Sequence, residues 1–458
     1  MKTSIGRTGR LIIGLVAVLM TFAAIVWALN VQDEIDVDVV IDAPFLPLAA
    51  GEELVARGAY LARAGNCAAC HTVRGGVPYA GGRAIDTSFG PIYSSNLTPH
   101  DKTGLGSWSP AHFWRAMHNG RSKSGRLLYP AFPYPSYTQI TRDDSDALFA
   151  FLKSLPAVEQ TPPPHGLRFP YRTQAALALW RAVYFSPGTF ESDASRSAEW
   201  NRGAYLTTGL GHCGACHTAR NALGGHTGVA LAGGLLDQQN WYAPSLVSPH
   251  EAGVDAKTKQ DLIDLLKTGV SRHAAVSGPM SEVVLGSTQY LSVQDLGAMA
   301  EYLKELPATS ALPWSSGKPD ASANSAKASM TGMAGTATNP AADVPGSVAA
   351  SGAKLYEQHC AQCHGDSGRG VPNAYPALAG NRAVTMTQTS NLVQIVLNGG
   401  YPPATDGNPR PYGMPPFVLV LNDSETAAVL TYIRNAWGNQ ASAVSPLEVD
   451  RVRAMQTR

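Results

Sequence analysis

A chain of 458 residues exceeds what one small hydrophobic core organises and implies about three domains. With 35 basic against 34 acidic side chains it carries a net charge of +1 and shows no basic stripe, which argues against nucleic acid as a partner. Its 45 Gly and 32 Pro point to a chain rich in turns and loops, and a hydrophobic share of 44% suits a globular protein.

The first predicted element is apolar. Behind Lys2, Arg7 and Arg10, residues 11–29 run without a charge, long enough for a helix that crosses a bilayer with its amino end in the cytoplasm. The sequence Val26-Trp27-Ala28 matches a signal-peptidase site poorly, so an uncleaved anchor is favoured over a cleaved signal segment. Either reading exports everything after Val31, placing it on the periplasmic side of an inner membrane.

Next comes Arg57-Gly58-Ala59-Tyr60-Leu61, read as a short helix, and then Cys67-Ala68-Ala69-Cys70-His71. The same pair recurs as Arg202-Gly203-Ala204-Tyr205-Leu206 before Cys213-Gly214-Ala215-Cys216-His217. A looser third copy is Ser351-Gly352-Ala353-Lys354-Leu355-Tyr356 before Cys360-Ala361-Gln362-Cys363-His364. The histidines stand at 71, 217 and 364, 146 and 147 positions apart, which is an internal repeat. Two thiols three positions apart on one helical turn can form thioethers with the two vinyl groups of a haem, and the adjacent His then points at the iron. A redox dithiol, half a zinc site or a local disulfide also uses Cys-x-x-Cys. Those readings fail to explain why all six cysteines fall into these patterns with His next and none left over.

Each copy ends in a predicted closing helix, over residues 148–155, 296–306 and 426–435, the first two stopped by Pro156 and Pro307. Phe151, Tyr302 and Tyr432 occupy matching places and can pack over Gly58, Gly203 and Gly352 where the first and last helices of a copy cross. Pro162-Pro163-Pro164 opens a connector whose residues 172–185 read as an apolar helix, and residues 315–345 are a run of Ser, Ala, Gly, Thr and Pro expected to be flexible. The implied organisation is a membrane segment (1–30), domain one (50–157), a connector with a docked helix (158–195), domain two (196–312), a flexible linker (313–345) and domain three (346–440). Domains one and two are expected to pack together, with domain three more mobile.

This pattern resembles the class I cytochrome c fold: an N-terminal helix, the haem motif, an Ω-type loop, a further helix, a distal-ligand loop and a C-terminal helix. The expected fold is therefore mainly α, three tandem class I cytochrome c domains behind an N-terminal transmembrane helix, with three covalently bound haem c groups attached at Cys67, Cys70, Cys213, Cys216, Cys360 and Cys363. His71, His217 and His364 are the expected proximal ligands. A six-coordinate electron-transfer haem also needs a distal ligand, for which the soft thioether of Met raises the potential. Gly278-Pro279-Met280 and Gly413-Met414-Pro415-Pro416 supply one in domains two and three, 63 residues after His217 and 50 after His364. A lone Met is ordinarily core packing, but these two combine loop context, Pro or Gly neighbours and the right place in a repeat.

Domain one departs from the pattern. Residues 128–137 (Leu-Tyr-Pro-Ala-Phe-Pro-Tyr-Pro-Ser-Tyr) stand at the corresponding place, and related three-haem subunits have Met where Phe132 sits. Phe cannot bind iron. Aligning Gly120, Gly269 and Gly399 sets Met117 beside Leu266 and Val396, so Met117 is the first candidate ligand, His118 the second and a five-coordinate haem the third.

The resemblance extends to the three-haem cytochrome c subunit of membrane-bound periplasmic dehydrogenases, through Tyr93-Ser94-Ser95-Asn96-Leu97-Thr98-Pro99, Gly104-Leu105-Gly106, Trp108-Ser109 and the 129–137 loop. It implies a catalytic partner subunit, which is a quinoprotein, a flavoprotein or a molybdenum hydroxylase. Quinone, a soluble cytochrome or a terminal oxidase would be the acceptor. Phe132 and the anchor resemble the molybdenum group more. No dinucleotide fingerprint or nucleophile motif is present, so catalysis by this chain alone is not expected. The alternative class is a peroxidase-like haem enzyme that uses an open site on the first haem.

Overall fold

The computed structural model describes residues 7–34, 48–272, 274–308, 346–372 and 374–455. The flexible linker expected at 313–345 lies outside the described residues.

The described chain is mainly helical. Its helices are α1 (Arg7–Val31), α2 (Leu48–Ala64), α3 (Cys67–Cys70), α4 (Pro110–Asn119), α5 (Tyr134–Tyr137), α6 (Arg142–Ser154), α7 (Gln174–Tyr184), α8 (Ala198–Thr208) and α9 (Gly214–His217). They continue as α10 (Lys259–Thr268), α11 (Pro279–Gly286), α12 (Val293–Lys304), α13 (Gly346–His359), α14 (Ala361–His364), α15 (Arg382–Thr385), α16 (Ser390–Asn398), α17 (Asp423–Asn435) and α18 (Pro446–Met455). Two short antiparallel ribbons, β1 (Ala84–Ile85) with β2 (Ile92–Tyr93) and β3 (Gly234–Leu236) with β4 (Trp241–Ala243), are the only sheets among the described residues. By its contacts the chain divides into two compact units. One holds the described residues up to Ala215 with Arg220–His226 and Gly286–Met299. The other holds Cys216–Ala219, Thr227–Leu285 and the described residues from Ala300 onward.

In the first unit α2 crosses α6. Helix α6 starts where Thr141 accepts the Asp144 amide at 3.3 Å, and Asp143 and Asp144 in its first turn suit the positive end of the helix dipole. The crossing is closer than side chains normally allow. A Cβ built on Gly58 would lie 1.9 Å from the Ala147 carbonyl oxygen and 2.8 Å from the Phe151 Cβ. A Cβ built on Gly203 would likewise lie 1.9 Å from the Ala298 carbonyl oxygen, and in the second unit one built on Gly352 would lie 2.3 Å from Ala428 O and 2.8 Å from the Tyr432 Cβ. The aromatics at 151 and 432 do flank their glycines. The tightest contact in all three, however, is the carbonyl of an alanine four positions before the aromatic.

The first unit also contains a reciprocal seam between the first and second copies. Asp144 on α6 takes Arg57 (2.5 Å) from its own copy and the Tyr205 hydroxyl (2.5 Å) from the other. Asp295 on α12 takes Arg202 through both nitrogens (2.8 Å each) and the Tyr60 hydroxyl (2.6 Å). Each tyrosine oxygen in turn accepts an amide at the start of the opposite closing helix, Thr141 for Tyr205 and Ser292 for Tyr60, both at 3.1 Å. Two carboxylates are thus fully supplied with donors, which lets them sit at a desolvated seam.

In the second unit the third copy is docked as well as tethered. Asn391 of α16 bonds the Tyr242 amide and carbonyl of β4, both at 2.7 Å, and Thr405 reaches the Thr268 carbonyl at 3.2 Å. The expected end of domain three at residue 440 is followed by α18, whose Val449 and Val452 join the core with Val393, Leu397 and Leu430. Arg453 fastens it, donating to Val418 O (2.7 Å) and Asp423 (2.8 Å).

Candidate functional site

Each Cys-x-x-Cys-His copy places its histidine at the end of, or just past, a single helical turn, and each histidine is clamped at two points. The ring Nδ1 donates to a backbone carbonyl: His71 to Ser95 O at 2.7 Å, His217 to Pro244 O at 2.7 Å and His364 to Pro376 O at 3.0 Å. A carbonyl only accepts, so Nδ1 carries the proton and Nε2 keeps a free lone pair, the arrangement of a metal-ligating histidine oriented from behind. The histidine's own carbonyl accepts the amide of a downstream glycine, Gly81, Gly233 or Gly370, each at 2.8 Å. Glycine is needed there because φ is +75°, +94° and +62°. At Gly370 a Cβ would also stand 2.7 Å from the Pro376 oxygen that holds His364. Burial lowers the proton affinity of all three imidazoles below the ordinary value, with the carbonyl bond opposing in part.

The cysteines form no disulfide. Burial, with the neighbouring cysteine adding to it, pushes the Cys67 thiol up to about 12 and the Cys360 thiol to about 11, opposite to the lowered values of exchange-active dithiols. Among the described residues no three His, Cys, Asp or Glu side chains converge on a metal position.

In the second unit the third copy, with Trp241, Val276 and Gly278 of the second, lines a cavity of about 490 Å³. Cys360, Cys363 and His364 line it together with Met414 and the apolar Val396 and Leu430. That volume falls in the range of cofactor sites, and both thiols, an imidazole with a free Nε2 and a thioether share it, so the residues fit a haem c. Met414 is fixed by its backbone, which exchanges hydrogen bonds with Gly400 at 2.8 and 3.0 Å. Met280 lies half-buried in the first turn of α11, after Gly278, whose φ of +56° carries the backbone past the face of Trp241.

Around the first copy, Phe132 packs on Tyr137 with ring centres 5.3 Å apart. Tyr137 is buried beside Cys67 and Cys70, and its phenol is held well above its ordinary value by burial and then by those two thiols. Met117 is buried on α4. His118 stacks on Trp114 at 4.7 Å and bonds the Thr138 carbonyl through Nδ1 at 2.8 Å, which also leaves its Nε2 free.

Sequence reasoning missed the carbonyl acceptors. A signal was present: Ser95-Asn96-Leu97, Pro244-Ser245-Leu246 and Pro376-Ala377-Leu378 share a leucine two positions after the acceptor.

Comparison with known proteins agrees with this geometry. The family model described as cytochrome c matches residues 55–156 and 349–437. The alcohol dehydrogenase (quinone) cytochrome c subunit of Gluconacetobacter polyoxogenes is 37% identical over 413 residues, covering 88% of this chain and 85% of that protein. The gluconate 2-dehydrogenase cytochrome c subunit of Pantoea cypripedii is 36% identical over 420 residues, 89% of this chain and 91% of that protein. A nicotinate dehydrogenase subunit of Pseudomonas putida is 38% identical over 424 residues, 89% of this chain and 33% of that protein.

Proposed function

The chain belongs to the cytochrome c subunits of dehydrogenase complexes, and from that premise we propose that it carries three covalent haem c groups and passes electrons from a periplasmic catalytic subunit to a membrane acceptor. As a member of that family it is an electron-transfer subunit and not a catalytic one. The observation that carries the proposal is the threefold clamp, in which His71, His217 and His364 each have Nδ1 on a backbone carbonyl and Nε2 free.

When bound, haem c supplies a one-electron ferric/ferrous couple. The chain's own contribution is to hold and tune it. Cys67 and Cys70, Cys213 and Cys216, and Cys360 and Cys363 would form the thioether attachments, and the clamped histidines would hold the iron through Nε2. Met280 and Met414 would each offer a thioether to the iron of the second and third groups, and Met117, or as second candidate His118, would serve the first. The reciprocal Asp144–Tyr205 and Asp295–Tyr60 bonds keep the first two copies in fixed register, which a chain of electron carriers requires. Helix α1 is the retained anchor, with a mean hydropathy of 2.6 over its most apolar 18 residues.

The catalytic partner is a quinoprotein, flavoprotein or molybdenum hydroxylase, and Phe132 favours the last. The likeness to the nicotinate dehydrogenase protein, whose name denotes an N-heteroaromatic substrate, points the same way. The acceptor is quinone, a soluble cytochrome or a terminal oxidase. The test is a stopped-flow mixture of the purified chain with the catalytic dehydrogenase subunit that co-purifies with it from the membrane. Substrate should reduce all three haems, seen as growth of the ferrous α-band. Haems that stay ferric while the dehydrogenase turns over an artificial acceptor would overturn the proposal.

A further inference from the structure

The end of α1 is built into the folded first unit. Asn30, only 7% exposed, donates to the Ala178 carbonyl of α7 at 2.9 Å and accepts from Arg181 at 3.0 Å, while its own carbonyl takes Arg121 at 2.8 Å. Arg121 pairs with Glu34 at 3.2 Å, and Asn119 bonds the Asp33 carbonyl at 3.0 Å. Arg181 completes the junction through the Asn119 carbonyl at 2.6 Å. A buried guanidinium and a buried amide satisfy each other here only while residues 30–34 remain attached.

Helix α7 receives this junction, and its opposite side is unsuited to water. Leu177 and Arg181 face inward, whereas Ala175, Leu179 and Val183, four positions apart, face outward, with Leu179 45% and Val183 65% exposed. A surface helix normally carries polar residues on that stripe, and a helix apolar on all sides needs something to cover it. The loop entering α7 adds exposed Phe169 (75%) and Tyr171, flanked by exposed Arg168 and Arg172. Aliphatic side chains beside aromatic rings and guanidinium groups are the chemistry of a bilayer's headgroup region, where the rings sit at the interface and the cations meet anionic lipid. The 22-residue apolar span of α1 ends against the same helix, at Ala178.

We infer that the outward stripe of α7, with the 168–172 loop, lies in the headgroup region of the bilayer where α1 emerges, so that the first unit rests on the membrane through two elements. This rests on reading α1 as a retained span.

The full-length holoprotein is placed in nanodiscs of phosphatidylethanolamine and phosphatidylglycerol, the latter bearing a photoactivatable group near the glycerol. Adducts are mapped by peptide mass spectrometry, and the mature N-terminus is sequenced on the same sample. The expected result is labelling of α1 and of the peptide containing Leu179 and Val183. In the L179E/V183E variant the α7 label should fall by about tenfold or more while α1 labelling and haem content stay unchanged. Labelling confined to α1 overturns the inference and leaves the anchor standing. Protection of α7 only when partner subunits are bound also overturns it, by assigning the stripe to a protein interface. A mature N-terminus beyond Asn30 would remove the anchor reading. That result overturns the inference together with the reading of α1 on which it rests.

Discussion

Gly58→Ala sets two opposing effects against each other at one methyl group. Alanine is the better helix former by about 1 kcal/mol, so an exposed position would gain stability. At residue 58 the new Cβ would stand 1.9 Å from the Ala147 carbonyl oxygen and 2.8 Å from the Phe151 Cβ, and the first obstacle is backbone. Restoring an ordinary contact moves α2 from α6 by roughly 1.5 Å, and overpacking on that scale costs typically 1–3 kcal/mol, more where no rotamer can yield. The net expectation is a loss of about 2 kcal/mol, a fall of roughly 8–16 °C in the melting of a domain of about 100 residues. Gly51 lies in the same helix with nothing within 4 Å of its built Cβ, so Gly51→Ala should hold or raise the melting temperature. Calorimetry on the two holoproteins makes the comparison. Gly58→Ala melting at or above the wild type would refute the close crossing.

Further outcomes follow from the seam and the ligands. Burial raises the Asp295 carboxyl, but hydrogen bonds from Arg202 and Tyr60 outweigh it and hold the group below its ordinary value. A depressed carboxylate contributes stability above the unfolded value of about 3.9, and that stability is lost as pH falls through the folded value, so acid melting should steepen below about pH 4. Tyr60→Phe should cost about 1–2 kcal/mol at pH 7 and move acid unfolding to higher pH, and a melting curve identical to wild type would remove the seam from the account. Met280→Ala and Met414→Ala should each abolish the Met–iron charge-transfer band of one haem and lower its potential, and unchanged spectra would strike that residue from the ligands. Low-temperature EPR should show a new high-spin signal in Met117→Ala, or in His118→Ala if the first haem is bis-His. A wild type already one-third high-spin and unchanged in both variants would point to an open site and the peroxidase-like alternative.

The parts of this molecule written in local order were legible in the sequence. The Cys-x-x-Cys-His copies, the Gly58, Gly203 and Gly352 helices and the closing helices all rest on spacing within about a dozen residues. The seam was not legible, because Tyr60 finds Asp295 235 positions away and nothing in Arg-Gly-Ala-Tyr-Leu marks its tyrosine as a donor to another copy. Asn391 of α16 is the same case, a polar side chain whose partner, Tyr242 of β4, lies 149 positions off. Helix α18 carries a weak apolar pattern, with only Val449 and Val452 turned inward. Helix α7 was legible as apolar, but its outward stripe of Leu179 and Val183 shows only once Leu177 and Arg181 are seen facing the core.

The account stands on three covalent haems held at three clamped histidines, and haem stoichiometry tests that most directly. Intact mass with pyridine haemochrome spectra on the purified chain should give three haems per polypeptide. Replacing the two cysteines of any one motif with Ala should leave two. A wild-type value other than three, or a motif whose loss leaves the count unchanged, would contradict the assignment.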